Sequence, residues 1–427
     1  MSEAAKQLTK RERLANKVKI NLAMSVREVL DPIKEESSRP RRMAYFDRIF
    51  ETFAHGGEAT VIPRKGEKII GTYCLFVPEE LIYAAGARPV RLCSGAYESV
   101  EIGEDYLPEV ACPMVKSELG FAALPVLSFF HQCELVVMPA SCDWKVKMAE
   151  ILKRFAPVHL MDMPRVKEEE SSRIFWFEEV KRFKQQVEKT TGVRITRRRL
   201  KLAICMIQRA QAAFHRFHRL RKAEPPVISG RDALEVMNAY FYDHAEDWTE
   251  AVTRLNDELE TRIRDQQQVA KRGAARIMLT GSPMVFPNWK VPSIIEELDG
   301  VLVADEFCTS NRYLNDMVAV DEGTVSDMVQ AVAERYLLPS TCPIFSNTID
   351  RQDRLLQLID DYRVEGVIYH ILKGCHPYDV ETKIIEQLME RRGIPMLKIE
   401  TDYSPQDVEQ LRTRIEAFQE TLKGRRG

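Results

Sequence analysis

The chain has 427 residues, 45% hydrophobic and 30% charged, enough apolar material for two or three ordinary domains. Its 62 basic and 64 acidic residues leave a formal charge of -2, which gives no electrostatic reason to expect a nucleic-acid partner. No run approaches about 18 apolar residues, so no membrane span is expected. Residues 1–14 lack the apolar region of a secretory signal, so a cytoplasmic location is expected. There the nine cysteines would stay reduced rather than form a disulfide framework.

Residues 1–60 read as a charged helical segment, broken near Pro40 and suited to packing against a lobe or a second protomer. From residue 61 short apolar runs alternate with helical patterns. Residues 68–72, 89–92, 135–138 and 158–161 read as strands, and 78–85 and 144–155 as helices. The first of these helices opens with Pro78, Glu79 and Glu80, all favoured at a helix N-terminus. Residues 172–271 read as a helical connector, with apolar residues at helical spacing over 176–188, 199–222 and 233–242. From residue 272 the alternation returns: strands at 277–280, 300–304, 365–371 and 395–399, helices at 346–362, 380–391 and 405–422. This texture predicts an α/β protein of two doubly wound, flavodoxin-like parallel-sheet lobes, at 61–171 and 272–427.

No two cysteines lie closer than nine residues, and no C-x-x-C occurs. Neither a ferredoxin run nor a zinc ribbon is therefore present. The cysteines nevertheless form two trios, Cys74, Cys112 and Cys142 in the first lobe and Cys308, Cys342 and Cys375 in the second. Their spacings are 38 and 30 residues, then 34 and 33. Each gap is about the length of one βαβ unit. Cys74, Cys142, Cys308 and Cys375 each follow a predicted strand. The middle members share a loop, Leu107-Pro108-Glu109-Val110-Ala111-Cys112-Pro113 against Leu338-Pro339-Ser340-Thr341-Cys342-Pro343. Ligands of open α/β sheets bind outside the carboxyl ends of strands. Helix N-termini there offer unpaired N–H groups that favour a thiolate and tune a cluster's potential. Six thiolates are thus expected to converge between the lobes; the alternative is that they simply pack. Cys93, Cys133 and Cys205 sit in apolar, regular segments and read as packing residues.

Two cubanes have eight irons, and six thiolates leave two without a terminal ligand. A single bridging sulfide would serve both, or each cubane would keep one open iron for substrate or water. Either arrangement suits substrate reduction better than simple electron carriage, where four-cysteine closure is usual.

Gly71-Thr72-Tyr73-Cys74, Val77-Pro78-Glu79-Glu80-Leu81-Ile82-Tyr83-Ala84-Ala85-Gly86, Cys112-Pro113-Met114-Val115-Lys116, Ser141-Cys142-Asp143 and Lys373-Gly374-Cys375 resemble the 2-hydroxyacyl-CoA dehydratase and benzoyl-CoA reductase family. The six-cysteine pattern is most similar to its double-cubane cluster branch. The resemblance implies an eight-iron, nine-sulfide cluster of two sulfide-bridged 4Fe-4S cubanes, held in a cleft between flavodoxin-like lobes. It also implies a homodimeric oxidoreductase of small unsaturated molecules such as acetylene, supplied with electrons by a separate ATP-hydrolysing iron–sulfur activator. Dehydratase subunits of the family use three cysteines, which by motif are Cys112, Cys142 and Cys375; Cys74, Cys308 and Cys342 are additional here. The repeat suggests one trio per lobe for each cubane, whereas the family suggests ligands drawn from both lobes.

The sequence has no G-x-x-x-x-G-K-[ST] phosphate loop, so ATP is expected on the partner. Cubane potentials reach down to about -700 mV, a reason to couple the transfer to hydrolysis. His376 and His370 are candidate proton relays, with His131 a weaker one, although each also reads as a helix-entry or packing residue. Arg197-Arg198-Arg199, Lys201, His215-Arg216 and His218-Arg219 form a basic helical stretch. It is either a docking surface, for an acidic partner or for the phosphates of CoA, or a solvated helix face. Two alternatives to the reductase remain: a subunit of a 2-hydroxyacyl-CoA dehydratase or aryl-CoA reductase, and a non-enzymatic cluster or electron carrier.

Overall fold

The computed structural model describes residues 9–56, 61–319 and 323–425. Its frame is two four-stranded, all-parallel sheets. The first comprises β1 (Lys68–Thr72), β2 (Ala87–Arg91), β3 (Cys133–Pro139) and β4 (Val158–Met161), in the order β2-β1-β3-β4. The second comprises β5 (Ala275–Gly281), β6 (Gly300–Glu306), β7 (Gly366–Leu372) and β8 (Met396–Thr401), in the order β6-β5-β7-β8. Both are therefore doubly wound sheets of flavodoxin-like order, 2-1-3-4. The strands β2, β5, β6 and β7 are buried along their whole length. Parallel strands covered by helices on both faces read as continuous rather than alternating apolar runs for this reason.

The strand order reverses beside β1 in the first sheet and beside β5 in the second. A crevice opens at such a switch point, outside the carboxyl ends of the strands. Of the six candidate cysteines, Cys74, Cys142, Cys308 and Cys375 lie two to three residues beyond β1, β3, β6 and β7 respectively, so the two crevices face each other with sulfur on both sides.

The N-terminal helix Lys10–Lys34 begins at a capping box made by Thr9 and Glu12, in which two otherwise unpaired donors are satisfied reciprocally. It buries Ala15, Val18, Leu22, Val26, Leu30 and Ile33, the stripe of an amphipathic helix. These residues join the main core, so the segment packs against the body of the chain. The half-buried Arg39 fastens it further, donating to Asp232 (2.6 Å), Glu235 (2.7 Å) and Asp47 (2.9 Å). Four helices, Glu170–Thr191, Arg197–Leu220, Gly230–Ala239 and Ala245–Arg264, fill the stretch between the sheets.

Two details differ from the sequence expectation. The loops of Cys112 and Cys342 are not equivalent, because Cys112 is the N-cap of the helix Pro113–Ala123 whereas Cys342 lies in a loop and the next helix waits until Ile349–Asp361. Pro at the first helical position favours immediate helix entry in the former; Ser346, Asn347 and Thr348, which favour non-helical local hydrogen bonding, delay it in the latter. The helices Pro113–Ala123, Lys290–Glu297 and Val325–Leu337, the last with its own capping box from Thr324 and Asp327, are additional to those expected. Among the described residues no helix is long and apolar enough to cross a membrane.

Candidate functional site

One cavity is lined by Cys74, Cys112, Cys142, Cys308, Cys342 and Cys375 together. The structure thus brings all six candidates to one place, three from the first sheet's loops and three from the second's. Cys112, Cys308 and Cys342 are buried, and Cys74, Cys142 and Cys375 are partly exposed. Cys93, expected to be a packing residue, also lines this cavity. Cys133 instead donates to the Phe129 carbonyl (3.2 Å), and Cys205 lies on the helix Arg197–Leu220, away from the site.

Backbone geometry aims these side chains. Cys112, Cys142 and Cys375 each occupy the N-cap position of a helix: Pro113–Ala123, Asp143–Leu152 and His376–Arg392. The backbone N–H groups of Met114, Lys145 and Ile344 donate to the sulfurs of Cys112, Cys142 and Cys342. Hydrogen bonds of this kind stabilise a thiolate and tune the potential of a cluster. Cys74 has φ +59, a left-handed conformation that is uncommon for a residue with a Cβ and is often retained at functional sites. Gly374, at φ +73, lies where an added Cβ would come within 2.4 Å of the Val110 carbonyl oxygen. Only glycine lets the loops before Cys112 and Cys375 approach this closely.

Several contacts hold the two halves together. Trp144 Nε1 donates to the Gly374 carbonyl (3.0 Å), joining the residues beside Cys142 and Cys375. Lys167 Nζ donates to the carbonyls of Leu338 (2.7 Å) and Ser340 (2.9 Å), which fixes the loop of Cys342. The Arg165 carbonyl accepts from the Ser346 N–H (2.9 Å) across the halves. Within the first half its side chain grips the carbonyls of Ala140 and Ser141, at 3.0 Å each, just before Cys142.

The thiols influence one another in two sets. Cys112 hydrogen-bonds with Cys375, and this contact draws Cys112 below its ordinary value while raising Cys375 well above it, with burial and Cys142 adding to the latter shift. Cys142 is pushed up to about 11 by burial, with Cys112 and Cys74 contributing. Burial also raises Cys308, with Cys74 and Cys342 as neighbours, and takes Cys342 to about 12, with Cys74 again a neighbour. Cys112, Cys142 and Cys375 thus influence one another, as do Cys74, Cys308 and Cys342, with Cys74 reaching Cys142 as well, and each group draws on both sheets.

Helix N-termini were expected to lower these thiols generally. The structure corrects this, since of the three N-cap thiols Cys142 and Cys375 rise and Cys112 falls, chiefly through its contact with Cys375. A helix terminus contributes about 0.3–1 kcal/mol at an exposed position, while full burial shifts a pKa by up to about 3–5 units. Thiols that resist ionisation here suit a bound cationic metal, which supplies the missing counter-charge and releases the protons.

Cations surround the cavity. Lys145 lies over the Tyr73 ring at 4.4 Å and is ion-paired with the buried Glu118. Arg312 donates to Glu306 at 2.6 and 2.7 Å, and Arg351 pairs with the same carboxylate and with Glu381 (2.8 Å). Arg91, at the carboxyl end of β2, also lines the cavity.

Among the described residues, no three His, Cys, Asp or Glu side chains converge tightly enough for a single metal ion. Six thiols spread around one cavity, with buried cations behind them, match an extended multi-metal anion instead. On this donor set, an iron–sulfur cluster fits.

Of the histidines, His376 lies 6.0 Å from Trp144, ring to ring, in the cleft at the mouth of the cavity. His370 is buried and held neutral at about 4 by its burial; it meets the Ser282 carbonyl and does not line the cavity. His131 meets the Leu124 carbonyl (3.1 Å). The basic stretch is partly structural. Arg216 pairs with Asp257 (2.7 Å) and Glu260 (2.8 Å), and His218 is buried against Phe214. Arg91 and Lys145, both lining the cavity, escape a reading of the sequence. For Arg91 the available signal is an arginine at the end of an apolar strand.

Comparison with known proteins places the chain in a family. Residues 74–422 match the family model "2-hydroxyglutaryl-CoA dehydratase, D-component". The chain is 36% identical over 382 residues to the putative dehydratase subunit YjiM of Escherichia coli, covering 88% of this chain and 98% of that protein. It is 25% identical to the (R)-phenyllactyl-CoA dehydratase beta subunit of Clostridium sporogenes, covering 84% and 92%. It is 24% identical to the beta subunit of (R)-2-hydroxyglutaryl-CoA dehydratase of Acidaminococcus fermentans, covering 84% and 93%. The chain belongs to the 2-hydroxyglutaryl-CoA dehydratase D-component family.

Proposed function

We propose that this chain is an iron–sulfur reductase that takes low-potential electrons from an ATP-hydrolysing activator and delivers them to small unsaturated molecules. The supporting observation is that six cysteines, three from each lobe, line one cavity. Dehydratase subunits of the family are matched by motif at only three of them. When bound, a double cluster of two sulfide-bridged cubanes would supply electrons at low potential. Cys112, Cys142 and Cys375 would hold one cubane and Cys74, Cys308 and Cys342 the other, a partition favoured by the two sets of mutually interacting thiols.

The residues of the chain define the rest of the path. Cys142 and Trp144 belong both to the cavity and to an open cleft that includes Arg165, Ile344 and His376, and this cleft is the route by which electrons would enter. The apolar walls at Met114, Val115 and Ile344 exclude water and suit an uncharged substrate. His376 in the cleft is the side chain placed to carry a proton inward. A homodimer is the expected assembly, on the resemblance to the double-cubane branch.

A second reading, a subunit of a 2-hydroxyacyl-CoA dehydratase, is favoured by the likeness to YjiM. The two separate cleanly. With activator, ATP and a strong reductant under anaerobic conditions, the reductase should reduce acetylene, and calorimetric titration with CoA esters should give no heat of binding. Saturable CoA-ester binding without acetylene reduction would overturn the reductase in favour of the dehydratase subunit.

A further inference from the structure

Arg91 is 2% exposed, and none of its three guanidinium nitrogens has a hydrogen-bond partner among the described residues. A guanidinium carries five N–H donors in its plane and remains charged in proteins. Burying one without an anion is costly. Phe241 and Tyr313 lie against the group, with centroids at 4.5 and 4.8 Å. Contact with ring faces attracts the charge but takes up none of the in-plane donors.

The other lining cation, Lys145, is neutralised by Glu118, and Arg312, behind Cys308 and Cys342, by Glu306. Arg91 is different. It lines the cavity with the cysteines, and its charge favours ionisation of Cys308 and Cys93. The guanidinium with no hydrogen-bonded partner, whose charge Glu79 and Glu118 feel without bonding to it, therefore sits beside Cys308 of the set Cys74, Cys308 and Cys342. The set Cys112, Cys142 and Cys375 faces Lys145, a cation ion-paired with a carboxylate. Cys142 alone of the six opens onto the outer cleft.

We propose that Arg91 is a positioning residue whose unpaired guanidinium holds the anionic group bound by Cys74, Cys308 and Cys342 and raises its reduction potential above that of the outer group. This rests on the cluster reading above. A fixed positive charge favours whichever redox state is more negative, and in a buried site it is little screened. The gradient gives electron flow a direction, from the cleft at Cys142 inward to the Arg91 side, with one electron gained by the inner group for each lost by the outer.

The test is potentiometric titration of the anaerobically purified full-length protein, monitored by electron paramagnetic resonance, for wild type, Arg91→Gln and Arg91→Lys, with iron measured in each. Arg91→Gln should disfavour reduction of one of the two groups at least tenfold, about 59 mV for a one-electron couple. The other group should move much less, and Arg91→Lys should keep most of the wild-type separation. If Arg91→Gln loses iron while Arg91→Lys retains it, the same charge requirement is supported at the level of assembly. Unchanged potentials in Arg91→Gln, equal shifts of both groups, or equal behaviour of the two variants would overturn the inference while leaving the cluster intact. Iron-free wild type would overturn the cluster reading itself, and this inference with it.

Discussion

Cys375→Ala should lower activator-dependent reduction more than about 100-fold and release half or more of the bound iron, while Cys205→Ala should change neither. Loss of an outer-shell partner already costs metal sites about 10–100-fold, and removal of a terminal thiolate should exceed that. Cys375 sits at the N-cap of His376–Arg392 and faces Cys112 across the lobes, so no neighbouring thiol of its own loop can replace it. Cys205 lies on the helix Arg197–Leu220, outside the cavity. Iron analysis with parallel urea unfolding of the cluster-free chains checks this. A loss of iron with a change of only about 1 kcal/mol in stability identifies a ligand rather than a core residue. Full iron in Cys375→Ala would remove it from the ligand set.

Glu306→Gln should destabilise the chain by about 3–5 kcal/mol, the usual cost of removing one partner from a buried ionic group. Glu306 is 1% exposed and meets Arg312 and Arg351. Burial raises its carboxyl, but the two guanidiniums outweigh burial and hold it at about 2 against an ordinary 4.5. A carboxyl whose folded value is depressed contributes stability that is fully present above the unfolded value and is lost as pH falls through the folded one. The window here is from about 4.5 down to about 2, and the difference corresponds to about 3 kcal/mol. Unfolding of the cluster-free chain, followed at a series of pH values, should show this acid loss in wild type and a correspondingly smaller one in Glu306→Gln. The consequence reaches the site, because Thr341 Oγ1 donates to Glu306 (3.1 Å) next to Cys342. The same variant should therefore hold iron less tightly. Identical acid profiles for the two proteins would show that Glu306 does not carry the linkage.

All eight strands are legible in the sequence to within about two residues at either end, most plainly β5, β6 and β7, whose complete burial makes them largely apolar. The β1 and β4 bounds, Lys68–Thr72 and Val158–Met161, coincide with the expected ones. The six cysteines are legible from spacing, since each βαβ unit returns the chain to the same edge of its sheet. What spacing cannot reveal is which thiols meet, because Cys112 and Cys375, far apart in the chain, become neighbours only in the assembled fold. The resistance of Cys142, Cys308, Cys342 and Cys375 to ionisation is hidden for a related reason. A helix N-terminus is visible in sequence, whereas burial is a property of the assembled fold. Arg91 belongs to the same class, as an arginine in a short apolar strand is conspicuous but its missing partners appear only in three dimensions. The helices Pro113–Ala123, Lys290–Glu297 and Val325–Leu337 are absent from the expected elements, the last although Thr324 and Asp327 mark its start.

Iron and acid-labile sulfide, counted per chain on protein purified without oxygen, bear most directly on whether this cavity is a cluster site. Two sulfide-bridged cubanes require about eight irons and about nine sulfides. Four or fewer irons would contradict a double cluster, and a colourless, iron-free protein would reduce the six cysteines to the packing residues of an α/β fold.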